Sequence, residues 1–501
     1  VNANITTDNG NLTLIANDLT SSGVVDAQRD SGTAVITLAS GTTMNTGTGV
    51  FTSTIRAGTG KTNRTSGDIT LSSITAGSLV ATNSGPTSGS DILDNGVLTI
   101  AGTSSFTTSV SNADITLNSA NALTGTVTLN TTGSSGNATI DNGTTALIIA
   151  QSSVGGNLTL TSGHASGITD SGTLTVGGNL SATTDANNGV INLGTLAVDG
   201  TVALATNGSG NATVVNDAGL NFAASTVGGN LIATATTGNM TDSGALSIGG
   251  TATLTTSANN ATIALDTTTN AFNGAITLTT NDVGVLTQYN PTAITTYGST
   301  SSPGNERYPN AIDNNVNTKF LNFHETGSGF TVTFENAVVV DKLTFTTAND
   351  DHGRDPSRVS VYGSNTSSSN GFSLIQSNVS LNRATNRYSA YNSGNGDTFT
   401  NSTPYKHYRV VVTAVQDAAR ANSFQFSEVD FYDTGISTAG NDASATIDGG
   451  TTPLILAAST VDGNLNLRSG HASGITDSGT VTVSGDLSAT TDANNGIINL
   501  G

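Results

Sequence analysis

The 501-residue sequence contains no cysteine and no tryptophan. Without thiols there is no disulfide framework, no thiolate metal site and no cysteine nucleophile. Charged residues make up only 10 % of the chain, against about 25 % in an ordinary globular protein. What charge there is has one dominant sign. Fifteen Lys+Arg face 35 Asp+Glu, a net charge of −20, which opposes binding to a phosphate backbone and excludes nucleic acid as an expected partner. No run of about 18 apolar residues exists, so no membrane-spanning segment is expected. No basic stretch followed by an apolar one opens the chain, so no signal peptide is visible. The chain starts and stops in mid-pattern, at Val1 and Gly501, and reads as a piece of a longer protein. Thr, Ser, Asn and 59 glycines fill the gap. That composition would also suit a flexible linker, but ordered repeats of Leu, Val and Ile argue against one.

The composition is not uniform. Residues 289–432 hold all nine Tyr and all four Glu, Glu306, Glu325, Glu335 and Glu428. They also hold ten of the 15 Lys+Arg and ten of the 14 Phe. This step predicts a separate folding unit at 287–435, between flanks 1–286 and 436–501. The flanks repeat: Ala138–Gly194 and Ala445–Gly501 align without gaps, with 45 identities in 57 positions. A weaker copy starts at Val227. The simplest account is one repetitive domain interrupted by an inserted one.

A finer period runs inside the flanks. An apolar residue followed by Gly or Asp, then Gly, then a polar residue recurs at Val154, Val176, Val198, Val227, Ile248 and Val461, with early spacings of 22, 22, 29 and 21 residues. Apolar and polar residues alternate around each, as at Leu158/Leu160 and Val202/Leu204, the pattern of a strand with one buried face. Gly, Asn, Asp and Ser between strands supply turns and positive φ. Short strands at a fixed 20–29-residue spacing read as coils of a solenoid, each burying a face too small to stand alone. An array of β-sandwiches is the alternative, but strands of 4–6 residues with frequent turns fit coils better. About 350 residues at about 22 per coil give roughly 16 coils, a rod of about 75 Å at the usual strand spacing. Gly10-Asn-Leu-Thr-Leu-Ile-Ala16, Gly67-Asp-Ile-Thr-Leu-Ser-Ser-Ile-Thr-Ala-Gly77 and Gly156-Asn-Leu-Thr-Leu160 resemble filamentous-haemagglutinin-type repeats. The resemblance implies a right-handed parallel β-helix of a large secreted bacterial adhesin, a location on the cell surface, and two-partner secretion.

The inserted segment alternates without a period, as in Phe330/Val332/Phe334, Leu343/Phe345, Val359/Val361, Val410/Val412 and Phe424/Phe426. Its ten Phe can fill one core, and an antiparallel β-sandwich is expected. Four motifs in order resemble the discoidin, or coagulation factor 5/8 type C, family. They are Ala311-Ile-Asp313 through Thr318 and Phe323, Gly353-Arg-Asp-Pro356 with Val361-Tyr-Gly-Ser364, Tyr408-Arg-Val-Val-Val412, and Gln425-Phe-Ser-Glu-Val-Asp-Phe-Tyr432. The resemblance implies a jelly-roll fold and includes galactose-binding-like carbohydrate modules. It also implies a structural Ca²⁺ held by the carboxylates of Asp313 and Glu428, the Thr318 hydroxyl and carbonyls such as that of Ala311. The chemistry agrees, because Ca²⁺ takes 6–8 hard oxygens and a loop supplies carbonyls. The usual Gly after the Asp is Asn314 here, which tolerates left-handed backbone. Lys319-Phe320 replaces the usual Trp. The alternative is a loop held by Asp and Thr hydrogen bonds alone.

The densest polar cluster is Asn349-Asp350-Asp351-His352-Gly353-Arg354-Asp355. Carboxylates and amides bind sugar hydroxyls, and Arg offers a rigid fork. Asn349, Asp350, Asp351, His352, Arg354 and His407 are the candidate carbohydrate ligands, with Tyr391, Tyr405 or His407 to stack on a sugar ring. The competing reading has Arg354 and Asp355 pinning a loop. His164 and His471 sit in identical copied contexts beside Asp170 and Asp477 and read as corner residues. The flanks carry no Glu and only Arg29, Arg56, Lys61, Arg64 and Arg468 as strong cations, too little for polysaccharide cleavage. No glycine-rich piece precedes a helix as a phosphate loop would, and the nonapeptide calcium repeat is absent. The expected function is a stiff adhesin spacer displaying a glycan-binding module. The rival is a filament or surface layer that self-associates through open solenoid ends. An enzyme is not expected.

Overall fold

The computed structural model describes residues 1–18, 31–59, 62, 64–281, 287–324, 326–381, 386–390, 398–434, 443–493 and 495–501. Arg29, Lys61 and Tyr391 lie outside the described residues. The chain divides into two compact units, Val1–Asn281 with Gly440–Gly501, and Asp282–Ala439. The fold is all-β, and two short 3-10 turns, Tyr308–Ile312 and His352–Arg354, interrupt the second unit.

The first unit is a parallel β-solenoid of about 18 turns. Its strands stack in register on those of the next coil. One core column runs Leu147, Ile168, Ile191, Ala212, Leu231, Ala252, Ile276 and Leu456. Every member is 0–1 % exposed, so the alternation in sequence becomes a continuous narrow core. The column crosses the inserted segment without a break. Ile263 pairs with Ala445 and Ile276 with Leu456, so the chain resumes as the next coil.

The recurrent Gly-Gly-Asn corner has a specific geometry. The second glycine donates its N–H to the equivalent carbonyl one coil earlier: Gly156 to Gly136 at 2.8 Å, Gly178 to Gly156 at 2.9 Å and Gly200 to Gly178 at 3.0 Å. A Cβ on Gly178 would stand 2.8 Å from backbone atoms of Gly156. Close approach demands glycine at this corner, while the positive φ expected between strands falls at other turn residues such as Gly133, Gly143 and Gly208. The next side chain builds a ladder. Asp68 accepts from the Asp91 N–H at 3.0 Å, Asp91 from Asp114 at 2.8 Å, and Asp114 from Asn137 at 2.7 Å. Asn137 then accepts from Asn157, Asn157 from Asn179 and Asn179 from Thr201, each at 2.8 Å. Burial, with Asp68 and Asp114 adding to it, pushes the Asp91 carboxyl above its ordinary value.

The second unit has ten described strands: β1 Thr287–Tyr289, β2 Ala293–Tyr297, β3 Phe320–Asn322, β4 Gly329–Val338, β5 Lys342–Thr346, β6 Pro356–Ser364, β7 Ser373–Ser380, β8 Tyr405–Val415, β9 Phe424–Phe426 and β10 Glu428–Asp433. They form antiparallel sheets in the orders β1-β10-β5, β2-β4-β8-β6-β7 and β3-β9. Both larger sheets contribute to one core, with Phe345 and Phe431 from the first and Phe330, Phe334, Val361, Tyr408 and Val410 from the second. Edge-to-face aromatic pairs fill it, including Phe345–Phe426 at 4.9 Å and Phe334–Phe431 at 5.5 Å between centroids. The Tyr408 hydroxyl donates to the Val338 carbonyl and accepts from the Val340 N–H, so this buried phenol is satisfied.

Candidate functional site

The polar loop 349–355 joins β5 to β6 and is fixed from three sides. Lys319, nearly buried, donates to both Asp350 oxygens at 3.0 and 3.1 Å and to Gln425 Oε1 at 3.1 Å. Gln425 in turn donates to the Asp351 carbonyl at 3.0 Å. Burial works against the Asp350 carboxylate, yet the bonds from Lys319 and Gln425 hold it below its ordinary value. Asp351 caps the 3-10 turn by accepting from the Gly353 N–H at 3.0 Å and pairs with Arg354 Nε at 3.7 Å. Behind the loop, fully buried Asp355 receives a two-pronged bond from Arg387 at 2.6 and 2.8 Å. Arg387 Nε also donates to the Ala348 carbonyl at 2.7 Å.

These contacts sort the candidate residues. Asp350 and Asp351 are spent on the loop's own architecture, and Asp355 pins it. Asn349 and His352 are exposed, and Arg354 is partly exposed. Asn349, His352 and Arg354 therefore form the outward polar edge. A residue the sequence reading passed over has its backbone against the chain just before the loop. Tyr388 is 46 % exposed, has φ +55°, and donates its N–H to the Thr347 carbonyl, two residues before Asn349. Left-handed backbone in a bulky residue is uncommon and costs energy, so the surrounding structure must impose it. Lys319, Gln425 and Arg387 were also missed, since nothing local in the sequence marks them as partners of this loop.

His407 does not join the group. Pro356 pairs with Val415, whereas Ser364 pairs with His407. His407 is thus eight residues along β6 from the loop, about 26 Å at roughly 3.3 Å per residue. It faces Thr333 Oγ1 at 2.8 Å on the outer face of the five-stranded sheet. Tyr405 is not a platform either, since it packs edge-on against Tyr408 at 5.8 Å and covers Gly363.

A second cluster sits at the 3-10 turn Tyr308–Ile312. Asp313 follows the turn and Asn314 adopts φ +58°, as its amide allows. The Asn315 N–H donates to Asp313 at 3.0 Å and to Glu428 at 2.8 Å. The Thr318 hydroxyl lies 2.8 Å from Asp313 Oδ2. Two carboxyls converge here, and Glu428 is pushed up to about 8, first by burial and then by Asp313. A pair of acids in that state needs a proton or a cation. The hydroxyl of Thr318 and the chain at buried Ala311 add further oxygens. This all-oxygen set suits a hard cation such as Ca²⁺. Asp313, Glu428, Thr318 and Ala311 are the residues that would hold it.

In the solenoid the two copied histidines play one local part. His164 Nδ1 accepts from the Ser166 N–H, and His471 Nδ1 from the Ser473 N–H, each at 3.0 Å. Asp170 accepts from the N–H groups of Gly194 and Thr195 one coil on. Among the described residues no helix is long and apolar enough to cross a membrane.

Residues 57–130, 135–195, 209–279 and 440–501 match the family described as repeats of unknown function (DUF5649). These segments make up more than half of the chain, and the chain belongs to that family. No curated protein matches it. Solved structures similar to it include the family 32 CBM from Clostridium perfringens NanJ in complex with galactose. That likeness has 15 % identity, covers 30 % of this chain and 100 % of that one, and has a TM-score of 0.22. Another is the pair of domains CBM32-1 and CBM32-2 from Clostridium perfringens ZmpB in complex with GalNAc, at 18 % identity, 31 % and 40 % coverage and a TM-score of 0.24. A third is a chitosan-binding module from a Paenibacillus chitosanase/glucanase, at 14 % identity, 29 % and 96 % coverage and a TM-score of 0.22.

Proposed function

We propose that this chain is part of a secreted bacterial cell-surface adhesin in which a β-solenoid carries an inserted sugar-binding module. The module's loop 349–354 takes a neutral hexose of a cell-surface or matrix glycan. One observation supports the binding half above others. Asn349, His352 and Arg354 stand outward on a loop whose other polar groups are consumed in holding it still, and exposed Tyr388 is held in left-handed backbone. Planar polar side chains on a braced loop, with an exposed aromatic residue on the segment bonded to its start, would suit a sugar ring, which offers hydroxyls on its rim and C–H groups on its face. Preorganisation matters here because ordering mobile side chains would erode a weak affinity.

The reading is of a binding protein and not an enzyme. Solenoid acids such as Asp68, Asp94, Asp114, Asp141, Asp170 and Asp242 cap turns or ladder coils, which supports a scaffold role. Asp313, Glu428, Thr318 and Ala311 are proposed as a structural Ca²⁺ site that stiffens the module.

The test is affinity electrophoresis of the full chain through gels carrying neutral galactose- or N-acetylgalactosamine-bearing polymers. The expected result is retardation that His352→Ala and Tyr388→Ala each weaken at least tenfold. Absence of retardation by every neutral polymer, or variants that bind as tightly as the parent, would overturn the assignment.

A further inference from the structure

The outer face of the five-stranded sheet carries a second constellation, apart from the loop. In register across it run Thr295, Thr331, Arg409, Tyr362 and Leu374. The guanidinium of Arg409 lies 4.2 Å from the ring centre of Tyr297 and 3.7 Å from that of Phe372. Its N–H partners are neutral. Nε donates to Thr331 Oγ1 and Nη2 to the Ser369 carbonyl, both at 3.2 Å, and the phenol of Tyr297 is the other hydrogen-bonding neighbour. The half-buried or buried cations Lys319, Arg354 and Arg387 each face a carboxylate. Among the described residues Arg409 faces none, and half-buried Lys342 likewise makes no ion pair. One pleat away on the same strand face stands His407, and at the edge Leu374 is 54 % exposed and Tyr297 37 % exposed.

The two rings and the neutral hydrogen bonds stabilise the guanidinium but leave its charge without a counter-ion. A guanidinium held flat between rings has lost rotational freedom and part of its hydration, yet gains no charged partner. Those are the conditions under which an arriving carboxylate gains a strong charge-assisted bond with little reorganisation. Exposed Tyr297 and Leu374 and half-buried Tyr362 offer apolar area beside the guanidinium. The local charge permits an anion. Residues 287–435 hold ten Lys+Arg against 13 Asp+Glu, so most of the chain's net −20 lies in the flanks.

We propose that this sheet face is a second glycan-binding surface, centred on Arg409, that selects a carboxylate-bearing sugar unit of an acidic polysaccharide. It is independent of the loop site and stands or falls separately from it. The test uses the full chain in about 0.15 M salt, where the Debye length of about 8 Å screens repulsion from the acidic flanks but not a contact pair. Polygalacturonate, the same polymer reduced at its carboxyls, and phosphatidylserine vesicles are the three probes. The expected result is retardation by polygalacturonate, at least tenfold weaker retardation by its reduced form, and no vesicle binding. Arg409→Gln should lose polygalacturonate binding at least tenfold, Arg409→Lys should lose most of it, and His352→Ala should keep it. Equal binding to the reduced polymer, full binding by Arg409→Gln, or binding to vesicles in place of the polymer overturns the proposal. If Arg409→Gln does not fold, the parent chain's preference between charged and reduced polymer decides alone. Loss of neutral-glycan binding in His352→Ala with polygalacturonate binding intact would separate the two sites.

Discussion

Titration of Glu428 should make the inserted unit's stability depend on pH, and Ca²⁺ should reduce that dependence. The Glu428 side chain is 7 % exposed and beside Asp313, and its carboxyl is pushed up to about 8 from an ordinary 4.5. Between those two values the folded chain holds a proton that the unfolded chain has released. The metal-free stability it contributes is therefore complete below 4.5 and is lost as pH rises through about 8. At about 1.4 kcal/mol per pH unit, that window sets an upper bound of about 5 kcal/mol. For a unit of this size the midpoint should fall by on the order of 10 °C. The assay is unusually clean, because all nine Tyr lie in residues 289–432 and the chain has no Trp. Intrinsic fluorescence thus reports the inserted unit alone within the whole protein. In chelator, melting followed by tyrosine emission should drop steeply from pH 5 to pH 8. Saturating Ca²⁺ at 100 times its dissociation constant should restore about 2.7 kcal/mol at pH 8. Glu428→Gln should lose most of that drop and respond little to Ca²⁺. A parent chain whose midpoint in chelator is the same at pH 5 and pH 8 would refute the buried acid pair. A midpoint at pH 8 that Ca²⁺ leaves unmoved would refute the cation site.

Other consequences are local. A Cβ at Gly228 would stand 1.7 Å from the Gly208 carbonyl oxygen, whereas one at Gly194 meets nothing within 4 Å. Gly228→Ala should cost about 3 kcal/mol or more by forcing two coils apart, and Gly194→Ala should be neutral or stabilise by about 0.5 kcal/mol; urea denaturation followed by far-ultraviolet circular dichroism separates them. Arg387→Ala strips two charge-assisted bonds from fully buried Asp355 and should cost about 3–5 kcal/mol. Tyrosine emission in urea measures it, and an effect below about 1 kcal/mol would mean that the pair is not what holds the loop.

The solenoid was legible because its signal is local and repeated. Alternation at Leu158/Leu160 or Val202/Leu204 is enough to choose a face, and each chosen face is stacked on the next. The coil count came out low because coils contract in places, as between Ala212 and Leu231, which pair only 19 residues apart. The corner glycines were visible as a motif but not in their role, since contact with the neighbouring coil leaves no mark on local backbone preference. The candidate site was legible as chemistry and not as geometry. Asp350 and Asp355 were conspicuous, but Lys319 and Arg387 reach them from 31 and 32 residues away, and Gln425, which completes the set, is 106 residues from Lys319. His407 was grouped with the loop by residue type alone, and strand register carries it elsewhere. Tyr388 had no sequence signal, because its left-handed backbone is imposed by what surrounds it.

The way the solenoid accommodates a foreign unit can be read from one repeated bond. A buried or half-buried threonine closes a corner by donating to a carbonyl a few residues on: Thr108 to Ala113, Thr131 to Gly136, Thr184 to Gly189, Thr206 to Gly210 and Thr256 to Ala261, at 2.5–3.1 Å. Thr280 makes the same bond at 2.5 Å, but to Ala443, 163 positions away. The insertion therefore replaces a corner of about four residues and leaves the clasp intact. The core column on either side, Ile276 against Leu456, is unchanged by it. Replacing residues 281–442 by the corner sequence of 257–260 should then give a solenoid that folds without the inserted unit. Lengthening a loop costs about 0.6 kcal/mol per doubling, so shortening this one should stabilise the coils by up to about 3 kcal/mol. A folded inserted unit that already holds its two ends near each other would reduce that gain toward zero. Urea denaturation of the shortened chain, followed by circular dichroism, should show a midpoint at or above that of the parent's solenoid transition. A clearly lower midpoint would mean that the coils draw stability from the insertion itself, and that the clasp is not the device by which the two are joined.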